Sequence, residues 1–319
     1  MNKNRSAVSM IVLFLIAVFT QPLYAESAKV RIGYTPLIYG QPAFVADAKG
    51  YFRDEGLDVE MVRFENSTQI VNAMIAGDLD FCAIAPVLAV MAAEEKVKGD
   101  ETLFKFFYYN LDSKKNPISF LLVHRDSTIA KLSDLKGKTI GVFPGNILSR
   151  VSAKLLLKPY VDDNEIKFQD VGPQLQGQAL ESGQIDAMFS LEPFKTITVT
   201  KGIAKVLHVA PQLSISEPLP GGSGFMTTRF VKENPEAARK FAAAIKKSFA
   251  YIRANVDEAK KILTRYTPIS EEIALQVGQP DYEYYSEMDG SLLNLEYESL
   301  KNSGVLQGNV KIVNTIYTP

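Results

Sequence analysis

Ala73-Met74-Ile75-Ala76-Gly77-Asp78-Leu79-Asp80 and Ala179-Leu180-Glu181-Ser182-Gly183-Gln184-Ile185-Asp186 share one pattern, A-(M/L)-x-x-G-x-(L/I)-D. A short apolar run follows each copy, and then a proline, Pro86 or Pro193. The pattern reads as a helix end, a glycine that leaves the helix with positive φ, and an aspartate at the start of a strand. The copies lie 106 positions apart, and the strands that open the two regions, at Ile32 and Ile140, lie 108 apart. A unit repeated at a near-constant offset predicts two related α/β lobes rather than one large sheet.

Upstream of the first copy, Val30–Gly33 is a short apolar strand that ends in the loop Tyr34–Gly40. Pro42–Lys49 reads as a helix with proline in its first turn and Gly50 as its stop. Leu57–Phe64 alternates apolar and charged residues, as a half-buried strand does. Ser67 or Thr68 is the expected cap of a helix over Gln69–Ala76, and strand Phe81–Ala85 precedes another helix opened by Pro86. The second region repeats this order: strand Thr139–Val142, a Gly/Pro turn at Phe143–Asn146, helix Leu148–Leu157, strand Ile166–Val171 and helix Gln174–Glu181. Gly77 and Gly183 are assigned to helix ends, and Asp80 and Asp186 to bonds with nearby backbone.

Ala204–Ala210 is one more strand. Pro211–Gly224, rich in Pro, Ser and Gly, reads as a solvated crossing between lobes, and Phe225–Thr228 as strand-like. From Asn234, an expected cap, helices dominate. Phe241, Ala244, Ile245, Phe249 and Ile252 fall at helical spacing, and Asp257–Tyr266 and Glu271–Val277 follow as shorter helices. The expectation is that these helices pack on the first lobe. Tyr282, Tyr284 and Tyr285 are read as a packed aromatic cluster rather than a cleft lining.

The N-terminus has the order of a secretory leader: Lys3 and Arg5, an apolar run of 13 residues from Ala7 to Phe19, then Gln21-Pro22 and a small residue, Ala25. The run is short of the roughly 20 residues a spanning helix needs. Cleavage after residue 25 leaves 294 of the 319 residues and takes the net charge from −1 to −3 by removing Lys3 and Arg5. Such a weakly acidic chain has no electrostatic reason to seek nucleic acid. At 46% hydrophobic and 22% charged residues it is globular rather than disordered, and at this length two lobes are the default.

Chemistry-bearing motifs are few. Cys82 is the single cysteine and sits in an apolar run, so it reads as a packed thiol in a chain without an internal disulfide. His124 and His208 lie in strand-like runs without zinc-ligand spacing. There is no P-loop, dinucleotide fingerprint or nucleophile elbow. No catalytic residue, metal or cofactor is expected. What the pattern does supply is a set of joints between strand ends and helix N-termini, where free N–H groups and the helix dipole suit an anion or polar acceptor. In the first lobe these are Thr35–Gln41, Asn66–Thr68 and Ala85–Val87; in the second, Gly145–Ser149 and Ser190–Phe194. Capping is the competing reading for Ser67, Thr68 and Asn146.

Arg31-Ile32-Gly33-Tyr34, followed by Ala46-x-x-x-Gly50-Tyr51-Phe52-x-x-Glu55-Gly56-Leu57-x-Val59, closely resembles the first lobe of ABC-transporter substrate-binding proteins of the aliphatic sulfonate, taurine, nitrate and thiamine-pyrimidine type. Ala73–Asp80, Leu135-Lys136-Gly137-Lys138-Thr139-Ile140-Gly141 and Glu192-Pro193-Phe194 continue the resemblance, which runs from about Val30 to Thr228. It implies a type II, two-lobed periplasmic-binding-protein fold, each lobe a mixed sheet flanked by helices, with the ligand in the cleft. The expected division is a signal peptide over 1–25, lobe I over 26–120 plus 226–319, and lobe II over 121–225. The crossings are expected near Phe120–Val123 and Gly224–Thr228. The family's ligand loops fall on Tyr39, Gly40 and Gln41, on Ser67 and Thr68, on Pro86 and Val87, on Gly145, Asn146 and Ile147, and on Leu191 and Glu192.

The function this resemblance implies is the periplasmic solute receptor of an ABC importer, a monomer that meets the membrane only through its permease and the associated ATPase. One departure from the sulfonate binders stands out: Ile147 and Leu148, not small hydroxyl residues, follow Asn146. With Tyr34, Tyr39 and Phe194 they favour a small, flat or partly apolar organic ligand with one acidic or carbonyl group over a bare inorganic anion. A second class is an enzyme on the same fold, similar to thiamine-pyrimidine synthases, which carry a Cys-rich motif and site histidines. A ligand-sensing domain is the third, and it expects an output segment after Pro319.

Overall fold

The computed structural model describes residues 29–97, 101–284 and 290–319. The expected leader and Tyr285 lie outside them. The first sheet is built from β1 (Lys29–Tyr34), β2 (Asp58–Arg63), β3 (Phe81–Ala85) and β4 (Phe104–Asp112), joined later by β10 (Leu219–Thr227) and β11 (Asp281–Tyr284). The second holds β5 (Ser119–His124), β6 (Thr139–Val142), β7 (Lys167–Asp170), β8 (Ala187–Leu191) and β9 (Ala204–Val209). The strand orders are β11-β4-β10-β3-β1-β2 and β7-β6-β8-β5-β9. Each sheet therefore contains a parallel trio, β2-β1-β3 or β7-β6-β8. Against the third member lies an antiparallel strand that has come from the other sheet: β10 beside β3, β5 beside β8. The two crossings deliver their strands into equivalent slots.

The repeated octapeptide explains why both trios form. Asp80 accepts the Arg31 N–H at 3.0 Å, and Asp186 accepts the Thr139 N–H at 2.8 Å. Each aspartate thus clamps the first strand of its trio, β1 or β6, to the start of the strand that follows it, β3 or β8. Leu79 and Ile185, one residue earlier, lie over Gly33 and Gly141, where an added Cβ would stand 2.6 Å from the nearest side-chain methyl in both cases. Gly77 and Gly183 take φ of 91° and 73°, which only glycine adopts without strain.

Several expectations need correction. The cap of helix Ser67–Ala76 is Asn66, whose side chain accepts the Gln69 N–H at 3.0 Å; Ser67 and Thr68 are the first helical residues. Asn234 makes no side-chain capping bond to helix Pro235–Ala254. The connections between the sheets are residues 113–118 and 210–218, not Phe120–Val123 and Gly224–Thr228, which lie in or directly after strands β5 and β10. The strands of the second sheet accordingly span 119–209 rather than 121–225. Leu219–Gly224 is not a solvated crossing but the first six residues of an inner strand. Its glycines are there because neighbours come close: a Cβ on Gly224 would stand 2.0 Å from the Tyr108 ring, and one on Gly222 2.5 Å from Ile84. Phe104–Asp112, to which the sequence reading assigns no element, is a nine-residue strand buried along most of its length, so it lacks the alternation that marks a half-buried one. Helix Ser291–Asn302 is likewise additional.

Helix Pro235–Ala254 buries Phe241, Ala244, Ile245, Phe249 and Ile252 and packs on helices Gln41–Ala48 and Tyr51–Asp54 of the first lobe. Phe241 lies 4.9 Å from the Phe52 ring and 4.3 Å from Phe81. Tyr282 and Tyr284 pack on Phe249. Cys82 is fully buried in β3, which pushes its thiol far up in pKa. Among the described residues no helix is long and apolar enough to cross a membrane.

Candidate functional site

The carboxyl ends of the parallel strands in both sheets face one another across a cleft. Helices Ser67–Ala76 and Val87–Glu94 of the first lobe and Ile147–Leu157 of the second begin at its edge. Their first-turn N–H groups supply partial positive charge there. Two small spaces of about 30 Å³ and 20 Å³ remain between the lobes. Thr35, Leu37, Ser67 and Asn146 border both. Each space admits little more than a water molecule or two, so a larger solute fits only when the lobes separate and close again around it.

The lobes touch directly at the rim. Thr68 Oγ1 donates to the Gly145 carbonyl at 3.0 Å, and the Ile38 N–H donates to the Glu192 carbonyl at 3.5 Å. Gly145 has φ of 67°, and a Cβ there would stand 2.9 Å from Thr68 Oγ1, so glycine is needed for both conformation and approach. Asn146 faces the cleft, but its Oδ1 also caps helix Ile147–Leu157 by accepting the Ser149 N–H at 3.1 Å. Capping and cleft lining are here one residue's work.

Of the residues singled out in the sequence, Tyr39, Ser67, Pro86, Asn146 and Leu191 border the cavity, while Thr68 and Gly145 bridge its rim. The other five do not border it. Gly40 packs on the Phe44 ring. Gln41 is buried and accepts from Gln279 Nε2 at 2.8 Å. Val87 is in the hydrophobic core, and Ile147 turns outward, 51% exposed. Glu192 is fully buried and bonds to Thr196 and Lys195. Tyr34 belongs to an aromatic cluster with Phe44 and Tyr266, whereas Leu148 and Phe194 do reach the cavity.

Residues beyond that set complete the lining: Phe143, Pro144, Pro173 and Gln174 on one side, and Gln212 with Gly221 and Gly222 on the other. Phe143 and Pro144 were legible as a strand-end turn. Gln212 carries no sequence signal, because it lies in the crossing between sheets. Among the described residues no lysine, arginine or histidine borders either space, and Glu65 is the one carboxylate. The polar surface is therefore made of amides, hydroxyls and helix N-termini. Two of its atoms, Thr35 Oγ1 and Gln212 Oε1, are buried without a hydrogen-bond partner among the described residues. Behind Gln212, the Asp112 carboxyl accepts the Ile118 N–H at 3.0 Å and the Ser119 hydroxyl. Burial pushes its pKa up to about 6 against those bonds.

Two facing lobes with a polar cleft between strand ends define a bilobal periplasmic-binding-protein fold. The chain belongs to the NMT1/THI5-like family, whose sequence pattern matches residues 38–259. A Bacillus subtilis protein assigned to aliphatic sulfonate binding is 26% identical over 80% of this chain and 74% of its own length. A Saccharomyces cerevisiae 4-amino-5-hydroxymethyl-2-methylpyrimidine phosphate synthase is 27% identical over 86% of this chain and 80% of its own. Among solved structures, the periplasmic aliphatic sulphonate binding protein of Escherichia coli superimposes with a TM-score of 0.72 at 16% identity, covering 91% of this chain and 92% of that one.

Proposed function

We propose that this chain is the extracytoplasmic solute-binding component of an ABC importer. It captures a small organic ligand between its lobes and presents it to the permease and its ATPase as a monomer. The observation that carries this reading is the cleft itself: several helix N-termini and a set of neutral amides and hydroxyls converge between two lobes that meet at the rim. Such groups hold a ligand by hydrogen bonds, and among the described residues no histidine or lysine borders the two spaces to activate a hydroxyl. The sulfonate-binding relatives and the leader-like N-terminus agree with a transport receptor.

The synthase relatives favour a second reading, an enzyme on the same fold. Against it, the Cys82 thiol is buried in β3 and held protonated, and His124 and His208 belong to β5 and β9 without bordering the cavity. The test is a thermal-shift screen of the mature protein with sulfonates, nitrate, pyrimidines and small aromatic acids, followed by calorimetry. A bound solute at 100 times its Kd should add about 2.7 kcal/mol of stability and be recovered unchanged. A ligand that is chemically converted, or a screen without any stabilising solute, would overturn the proposal.

A further inference from the structure

Gln212 sits in the second crossing between the sheets, within the turn Pro211–Ser214. Its backbone is tied to the first crossing. The Gln212 N–H donates to Ser119 Oγ at 3.2 Å, and the Ser119 hydroxyl donates in turn to Asp112, which also accepts the Ile118 N–H. Its side chain, only 3% exposed, borders the cleft cavity. The carbonyl oxygen Oε1 has no partner there. Oε1 packs closely against Gly221, where an added Cβ would stand 2.9 Å from it, so glycine leaves room for the side chain in this position. Thr35 Oγ1, 4% exposed, is a second unpartnered oxygen bordering the same cavity. A buried acceptor without a donor is destabilising and rare in native proteins.

We propose that Gln212 is a specificity-determining residue of the cleft, and that the ligand carries an N–H or O–H donor for its side-chain carbonyl. The ligand class is then a small organic solute bearing an amine, amide or hydroxyl on a flat or apolar body. Anions without a donor, such as nitrate or ethanesulfonate, would leave Oε1 unpaired and bring negative charge towards it. This deepens the solute-binding reading and rests on it. Because the backbone of Gln212 holds the two crossings together through Ser119, a donor seated on its side chain also fixes the lobes in the arrangement that encloses the ligand.

The test is calorimetry of the mature protein with matched pairs that differ in the donor: taurine and ethanesulfonate, 4-amino-2-methylpyrimidine and 2-methylpyrimidine, 4-hydroxybenzoate and benzoate, benzamide and N,N-dimethylbenzamide. In any pair that binds, the donor-bearing member should bind at least tenfold more tightly, because a site built around a hydrogen bond rejects the analogue that lacks it. Gln212→Met, which keeps the volume and removes the carbonyl, should collapse that ratio to within threefold. Gln212→Glu, which keeps acceptor oxygens, should preserve it. Equal affinities within a pair in the wild-type protein, or a preference that survives in a folded Gln212→Met, would overturn the inference. Binding of nitrate or ethanesulfonate alone would overturn it while leaving the receptor reading intact. No binding by any of these probes would overturn both.

Discussion

Asp112 bears an unusual electrostatic burden for a residue at a lobe crossing. It is fully buried, its partners are a backbone N–H and a hydroxyl, and burial raises its pKa from 3.8 to about 6. The Asp112 and Glu192 carboxylates both act on Tyr39, and none of the three supplies positive charge. The folded state therefore holds a proton that the unfolded chain has already lost between pH 3.8 and about 6. Asp112 contributes stability that is complete below pH 3.8 and lost as pH rises through 6. A shift of two pKa units corresponds to about 3 kcal/mol. Denaturant melts at pH 4 and pH 7 should show the wild type losing about that much stability relative to Asp112→Asn, which does not titrate. A constant difference between the two proteins across this range would refute the assignment.

Strand β10 shows how one element reconciles a glycine-rich sequence with a central position in a sheet. Gly222 and Gly224 lack side chains because Ile84 and the Tyr108 ring occupy that space, and the Tyr108 hydroxyl is itself held by the Ala83 carbonyl. Gly224→Ala should thus cost about 1–3 kcal/mol through overpacking against a fixed ring. The same substitution at Gly177, in the middle of helix Pro173–Glu181, meets its nearest atoms at an ordinary 3.7 Å and should stabilise by about 0.5–1 kcal/mol. Chemical denaturation of both variants checks the opposite signs. A neutral Gly224→Ala would mean that β10 has room the structure does not show.

For the molecule as a whole, the decisive geometry is the pair of crossings at 113–118 and 210–218, with direct contacts at the rim of the cleft. Two lobes that each offer helix N-termini enclose a small ligand only by approaching one another, and the spaces left here are too small for a solute to enter without separation. Small-angle scattering should give a larger radius of gyration for the free protein than for the protein saturated with a ligand found by the screen. Superimposable profiles in the two conditions would argue against coupled closure.

The sequence by itself determined the repeated βα units, because each rests on local chemistry: a glycine that ends a helix and apolar runs of strand length. It also marked the joints at which Ser67, Pro86, Asn146 and Leu191 meet the cleft. Only the tertiary structure decided where the chain crosses between lobes and that Leu219–Gly224 belongs to an inner strand. It alone turned Gln41, Val87, Ile147 and Glu192 away from the cavity and brought Gln212 to it. The reason is physical: a propensity or a cap is written within a few residues, whereas the direction of a side chain at a strand end, and the partner that fills a glycine's missing volume, are set by segments about a hundred positions away, as Tyr108 and Gly224 are.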